Sequence, residues 1–173
     1  MSFLVDTDTC SAHLKDVGRV TSRFLQYTGR VHVSVVTVAE LFSWASRANA
    51  SPRRLQGLLA FLSDVTVLDV DLEIARKFGE VQAGFLDQGQ VVPGMDLLIA
   101  STALVYDLTV VTHNTRDFSR IPGLSLTDWL SPRATKRSGA SWRTTRQARP
   151  SSSHSVPTPS RIFPIVITPP AAC

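Results

Sequence analysis

Along the chain, short apolar runs are separated by amphipathic stretches, the pattern of strands that alternate with helices. Phe3-Leu4-Val5 ends at Asp6 and reads as a buried parallel strand carrying an acid to its carboxyl end. Leu14, Val17, Val20, Phe24 and Leu25 recur at near-helical spacing between Cys10 and Tyr27. A break at Gly18 and a stop at Gly29 make this one broken helix or two short ones. The β-branched run Val31 to Val36 predicts a second strand, ended by Thr37. Thr37-Val38-Ala39-Glu40 has the form of a capping box, which predicts a helix starting at Thr37 with Glu40 folded back onto the cap.

Ser51-Pro52 opens a further helix to Leu62, with Leu55, Leu58, Leu59 and Leu62 as its apolar face. Val65 to Val70 predicts a third strand. Asp71 then caps a helix bearing Ile74, Ala75, Phe78, Val81 and Phe85, stopped at Gly89. Another helix opens after Pro93-Gly94 and leads into a fourth strand, Leu108 to Val111. A polar turn follows, holding Asn114 and Asp117 beyond that strand's end. Ile121-Pro122-Gly123 turns into a last strand, Leu124 to Leu126, and Trp129 closes the periodic sequence. Five strands alternating with helices predict an α/β fold with a parallel sheet and right-handed crossovers.

Composition changes this picture only at the C-terminus. From Ser131 onward the chain has seven of its ten prolines, eight serines and no acid. Such a segment buries too little apolar surface to offset chain entropy, so residues 131–173 are read as a disordered tail after a 1–130 domain. Charge divides at the same place. Residues 1–130 hold 11 Lys and Arg against all 14 acids, a net −3, while the tail carries +7. The basic balance therefore belongs to the tail and says little about the domain's ligand. Cys10 and Cys173 have no framework spacing, and no apolar run reaches the roughly 20 residues of a membrane span. A reducing, cytoplasmic setting without a membrane is expected.

Four acids, Asp6, Glu40, Asp96 and Asp117, each fall at a predicted strand end or first helical turn, where a parallel sheet can gather them into one pocket. Each has a bland reading as well: Glu40 as a cap, Asp96 as a helix-start residue, Asp117 as support for its turn. Asp6 has the weakest one, because an acid directly after a buried strand needs partners. Clustered carboxylates raise one another's pKa unless a cation offsets them. Mg²⁺ or Mn²⁺, which favour hard oxygen ligands, fit that need and suit phosphodiester hydrolysis. Asp6-Thr7-Asp8 also resembles the opening of haloacid-dehalogenase-like phosphatases. Those enzymes and the response receivers need a downstream Lys, and the only lysines are Lys15, Lys77 and Lys136, with no late acidic pair. The four histidines lack zinc spacing, and no glycine-rich phosphate loop is present.

The blocks Leu4-Val-Asp-Thr-Asp8, Thr37-Val-Ala-Glu-Leu41, Asp96-Leu-Leu-Ile-Ala100 and Thr112-His-Asn-Thr-Arg-Asp-Phe118, with Gly123-Leu124 after them, resemble the PIN-domain ribonucleases of the VapC toxin type. The resemblance runs from residue 3 to about residue 130. It implies a three-layer α/β sandwich around a five-stranded parallel sheet and endonucleolytic cleavage of RNA with Mg²⁺ or Mn²⁺. It further implies a homodimer and a cognate antitoxin protein. By position, Asp6, Glu40, Asp96 and Asp117 are the catalytic, metal-holding acids, supported by Thr112 and Asn114. Asp8 stands where the family often has Asn, and the tail extends past the usual end of these proteins, with the texture of an unrelated reading frame. The alternative is a PIN-like RNA-binding or regulatory protein that has lost its chemistry, against which stands the presence of all four acids. Phe24, Leu25, Phe42, Trp44, Leu58 and Phe61, on the segments Cys10 to Tyr27 and Leu41 to Leu62, are read either as an apolar groove for the antitoxin or as ordinary core.

Overall fold

Five short runs rich in β-branched and apolar residues pair into one sheet. These are β1 (Phe3–Val5), β2 (Val31–Ser34), β3 (Thr66–Leu68), β4 (Thr109–Val111) and β5 (Ser125–Thr127). The computed structural model describes residues 1–131, and the tail expected to be disordered lies outside them from residue 132. The strand order is β3-β2-β1-β4-β5 and every pairing is parallel. Parallel neighbours require crossovers, and helices supply them. These are α1 (Thr7–Leu14), α2 (Gly18–Gln26), α3 (Val35–Ala45), α4 (Pro52–Asp64), α5 (Leu72–Asp87), α6 (Gly94–Val105) and α7 (Thr115–Phe118).

Alternation along β1 divides the interior into two layers. Phe3 and Val5 join Val20, Phe24, Leu41, Leu58, Phe61 and Trp129 on one face of the sheet. Leu4 joins Phe85, Leu97, Ile99, Val110 and Phe118 on the other. With both faces covered the sheet is the middle layer of three, which is why its central strands are apolar throughout. Each fully buried Leu or Phe contributes roughly 1.5–3 kcal/mol. Trp129 ties the first layer together, its ring 5.3 Å from Phe3 and 5.5 Å from Phe24 in edge-on contacts. The residues named for an apolar groove on this side divide between the core and the surface. Phe24, Leu58 and Phe61 are core, Phe42 and Trp44 pack half-buried against it, and Leu25 stands out in solvent at 74% exposure.

Two local expectations change, at the start of α3 and at the turn after β4, while the two-helix form of the Cys10–Tyr27 segment and the Asp71 cap are as expected. The second strand stops at Ser34, whose hydroxyl accepts the Val36 N–H at 3.2 Å and caps α3. Thr37 is therefore inside the helix and fully buried, so there is no capping box and Glu40 is free of that role. The β-branched pair Val35-Val36 suits a strand locally, but the Ser34 cap, three residues before the expected one, prevails over weak strand propensity. The polar turn at 114–117 is instead the one-turn helix α7. The segment from Cys10 to Tyr27 forms two helices, with Asp16 in a left-handed conformation (φ 56°) at the corner between them. Asp71 caps α5 as expected, accepting the Ile74 N–H at 2.9 Å. Among the described residues, no helix is long and apolar enough to cross a membrane.

Candidate active site

The chain lays β2 and then β3 on one side of β1, then returns to place β4 and β5 on the other. The reversal leaves a crevice outside the carboxyl ends of β1 and β4, the position where open α/β sheets assemble their sites. Asp6 follows β1 directly and Thr112 follows β4 directly, so both fall in that crevice. Asp6 is 7% exposed. Its Oδ1 accepts the Thr7 N–H at 2.7 Å and its Oδ2 accepts the Thr112 hydroxyl at 2.9 Å.

Asp96 comes from the first turn of α6, where Pro93 starts the helix without a side-chain cap. Across from it, the Asn114 amide Nδ2 reaches Asp96 Oδ2 at 3.3 Å and Asp117 Oδ2 at 3.1 Å. One amide thereby holds the acids of two helices, and its own N–H donates to the Thr112 hydroxyl at 3.0 Å. Thr112 thus links both halves of the crevice. Glu40 projects from α3 and accepts the Thr7 hydroxyl in a short hydrogen bond. Asp8 lies in the first turn of α1 and accepts the His113 N–H at 2.8 Å.

The electrostatics show how crowded this edge is. Burial first, and then the charge of Asp8, push the Asp6 carboxyl from its ordinary 3.8 up to about 7, against the lowering effect of the Thr7 and Thr112 hydrogen bonds. Asp96 is also raised, by burial first and then by Asp117, Glu40 and Asp8. The five acids are thus within electrostatic reach of one another. Among the described residues no Lys or Arg forms an ion pair with any of them.

A cluster of carboxylates, one buried (Asp6) and four half-buried, without a protein counter-cation among the described residues, is the donor set that hard divalent cations take. The side chains as placed are not drawn into a closed chelate. Among the described residues no three Asp, Glu, His or Cys groups converge on one point. Glu40 is turned to Thr7, and Asp96 and Asp117 are turned to Asn114.

All seven residues singled out in the sequence, Asp6, Asp8, Glu40, Asp96, Thr112, Asn114 and Asp117, lie at this one sheet edge. The residue missed by sequence reasoning is Thr7, whose hydroxyl orients Glu40 from 33 positions away. Its place between Asp6 and Asp8 was the available signal. His113 was likewise passed over for want of a zinc pattern, and its ring pairs with Asp128 at 3.0 Å.

The PIN-domain family matches residues 3–124. The tRNA(fMet)-specific endonuclease VapC of Salmonella typhimurium is 35% identical over 130 residues, 75% of this chain and 98% of the relative. Among solved structures, the DNA-bound VapBC complex from Salmonella typhimurium superposes with a TM-score of 0.71 at 35% identity, over 75% of this chain and 98% of that one. VapBC2 from Rickettsia felis, bound to a DNA fragment from its promoter, gives a TM-score of 0.70 at 26% identity, over 75% and 99% of the two chains.

Proposed function

Because the chain belongs to the PIN-domain family, and within it to the VapC ribonucleases, we propose that it is the toxin of a toxin–antitoxin pair, an endoribonuclease dependent on Mg²⁺ or Mn²⁺. The observation that carries this reading is the five-acid edge at the sheet's switch point, which has no Lys or Arg partner among the described residues. Asp6, Glu40, Asp96 and Asp117 are the residues that hold the cation. A divalent ion bound there supplies a Lewis acid for the phosphate and an acidified water for hydrolysis.

The chain's own residues prepare that chemistry. The Thr112 hydroxyl and the Thr7 N–H fix both oxygens of Asp6, so this carboxylate meets its ligand in one orientation. Asn114 donates to both Asp96 and Asp117, bridging the two carboxylates and offsetting part of their mutual repulsion, so that both would face a bound cation. Thr7 holds Glu40 at the rim. The substrate is RNA, and since a relative is named as a tRNA(fMet)-specific endonuclease, tRNA is the first class to test. The partner is an antitoxin protein, as the VapBC complexes among the similar structures support, and the reading extends to a homodimer acting in the cytoplasm.

The test is cleavage of a panel of structured RNAs by the wild type and by Asp96→Asn. The wild type should cut in the presence of Mg²⁺ or Mn²⁺ and stop on addition of EDTA, and the variant should lose more than about 100-fold in rate. A variant that cuts as fast as the wild type, or cleavage indifferent to EDTA, overturns the metal-dependent reading.

A further inference from the structure

His113 occupies the position between Thr112, which bonds Asp6, and Asn114, which bonds Asp96 and Asp117. Its own N–H donates to Asp8 Oδ2 at 2.8 Å, so the backbone on which its ring is mounted is fixed to the acid edge at three consecutive residues. The ring is held as well. Nδ1 lies 3.0 Å from Asp128 Oδ2, and Asp128 is anchored independently by the Leu130 N–H at 2.7 Å, the Ser131 N–H at 3.1 Å and the Ser131 hydroxyl at 2.6 Å. Asp128 therefore does not need His113 for its own placement, whereas the imidazole has no other protein contact for Nδ1 among the described residues. That bond occupies Nδ1 and leaves Nε2 without a hydrogen-bond partner among the described residues, on a side chain 62% exposed.

An exposed ion pair of this kind adds little to stability, so its orientation points to a ligand. The acid edge repels RNA phosphates, and among the described residues no Lys or Arg pairs with those acids. We infer that His113, aimed by Asp128, binds a phosphate of the RNA backbone beside the cleaved one and is a substrate-binding residue of this site. The inference rests on the ribonuclease reading above. The charged groups that face the ring are Asp128, after β5, and Asp8, on α1. The hydrogen bond and charge of Asp128, and to a smaller degree Asp8, raise the imidazole pKa and favour the cationic form that a phosphate attracts.

The experiment uses the full chain with total bacterial tRNA as the probe, at about pH 6, where the ring is protonated. KM and kcat are measured over a series of KCl concentrations for wild type, His113→Ala, His113→Gln and His113→Lys. Binding of the same tRNA is measured in parallel in the cleavage-disabled Asp96→Asn background. His113→Ala should raise KM and weaken binding by about 3- to 10-fold with kcat little changed, and flatten the dependence of log affinity on log salt by about 0.7–0.9, one phosphate contact. His113→Lys should restore the salt dependence, and His113→Gln should not. An unaltered salt slope in His113→Ala overturns the proposal even if affinity falls, since a merely structural role shifts affinity at every salt concentration alike. A His113→Gln variant equal to wild type overturns it too. If wild type cleaves RNA and only the His113 results fail, the ribonuclease reading stands; if wild type neither cleaves nor binds tRNA or any RNA of the structured panel, both readings fall together.

Discussion

Asp6 carries two opposed demands, a buried position after β1 and a charge that a cation must find there. Its carboxyl is raised from 3.8 to about 7, so between those values the folded, ion-free protein binds more protons than the unfolded chain. Stability from this group is therefore complete below about pH 4 and is lost as pH rises towards 7. The loss is on the order of 4 kcal/mol at its limit. Melting curves in EDTA should show Asp6→Asn close to wild type at pH 4 and clearly more stable at pH 8, and Mn²⁺ should close that gap by stabilising only the wild type. A variant less stable than wild type at pH 8 would make Asp6 a structural group. Thr7→Val, which removes the hydroxyl that Glu40 accepts, should lower cleavage by about 10- to 100-fold with a melting temperature near that of wild type. Asp6, Asp96 and Asp117 were legible because each sits at a strand end or in a first helical turn, positions that a parallel sheet brings together whatever the loops do; Glu40 was reached through a capping box that does not form, since it lies one turn further into α3 than its sequence context suggests. The Thr7–Glu40 and Asn114 bridges were not, because they depend on side-chain rotamers across 33 and 18 positions of sequence.

Among the elements, α7 shows how little secondary structure a site residue needs when packing does the holding. Four residues cannot sustain a helix by themselves. What fixes α7 is Phe118, fully buried in the layer with Phe85, Leu97 and Ile99. Phe118→Ala should destabilise the protein by about 3–5 kcal/mol and, because Asp117 precedes it, reduce cleavage at temperatures where the fold survives. Chemical denaturation checks the first effect and RNA cleavage at low temperature the second. By contrast Asp71→Ala, which removes the α5 cap far from the crevice in sequence, should cost about 1 kcal/mol and leave cleavage unchanged. Helices with strong punctuation were readable for that reason: Asp71 before α5, Pro52 opening α4, Pro93-Gly94 before α6. The start of α3 was obscured by Val35-Val36, whose branched side chains satisfy strand and helix alike, and α7 was too short to show a period.

Considered as a whole, the domain is closed by its last described residues. Trp129 seats its ring among Phe3, Phe24 and Tyr27, and the Arg19 guanidinium donates to the Leu130 carbonyl at 2.7 Å. Truncation after Pro132 keeps both contacts and should leave the melting temperature and the cleavage rate of the full chain nearly unaltered; a clear fall in cleavage alone would assign the +7 of residues 131–173 a role in holding RNA. The strand order has a consequence for synthesis. Asp6 and Thr112 are 106 positions apart and meet only when β4 slots in beside β1. A chain still emerging from the ribosome has made its first acid almost at once but cannot complete the crevice until more than a hundred further residues have followed. A prematurely ended copy that stops short of β4 lacks Thr112, Asn114 and Asp117 and so cannot assemble the crevice at all.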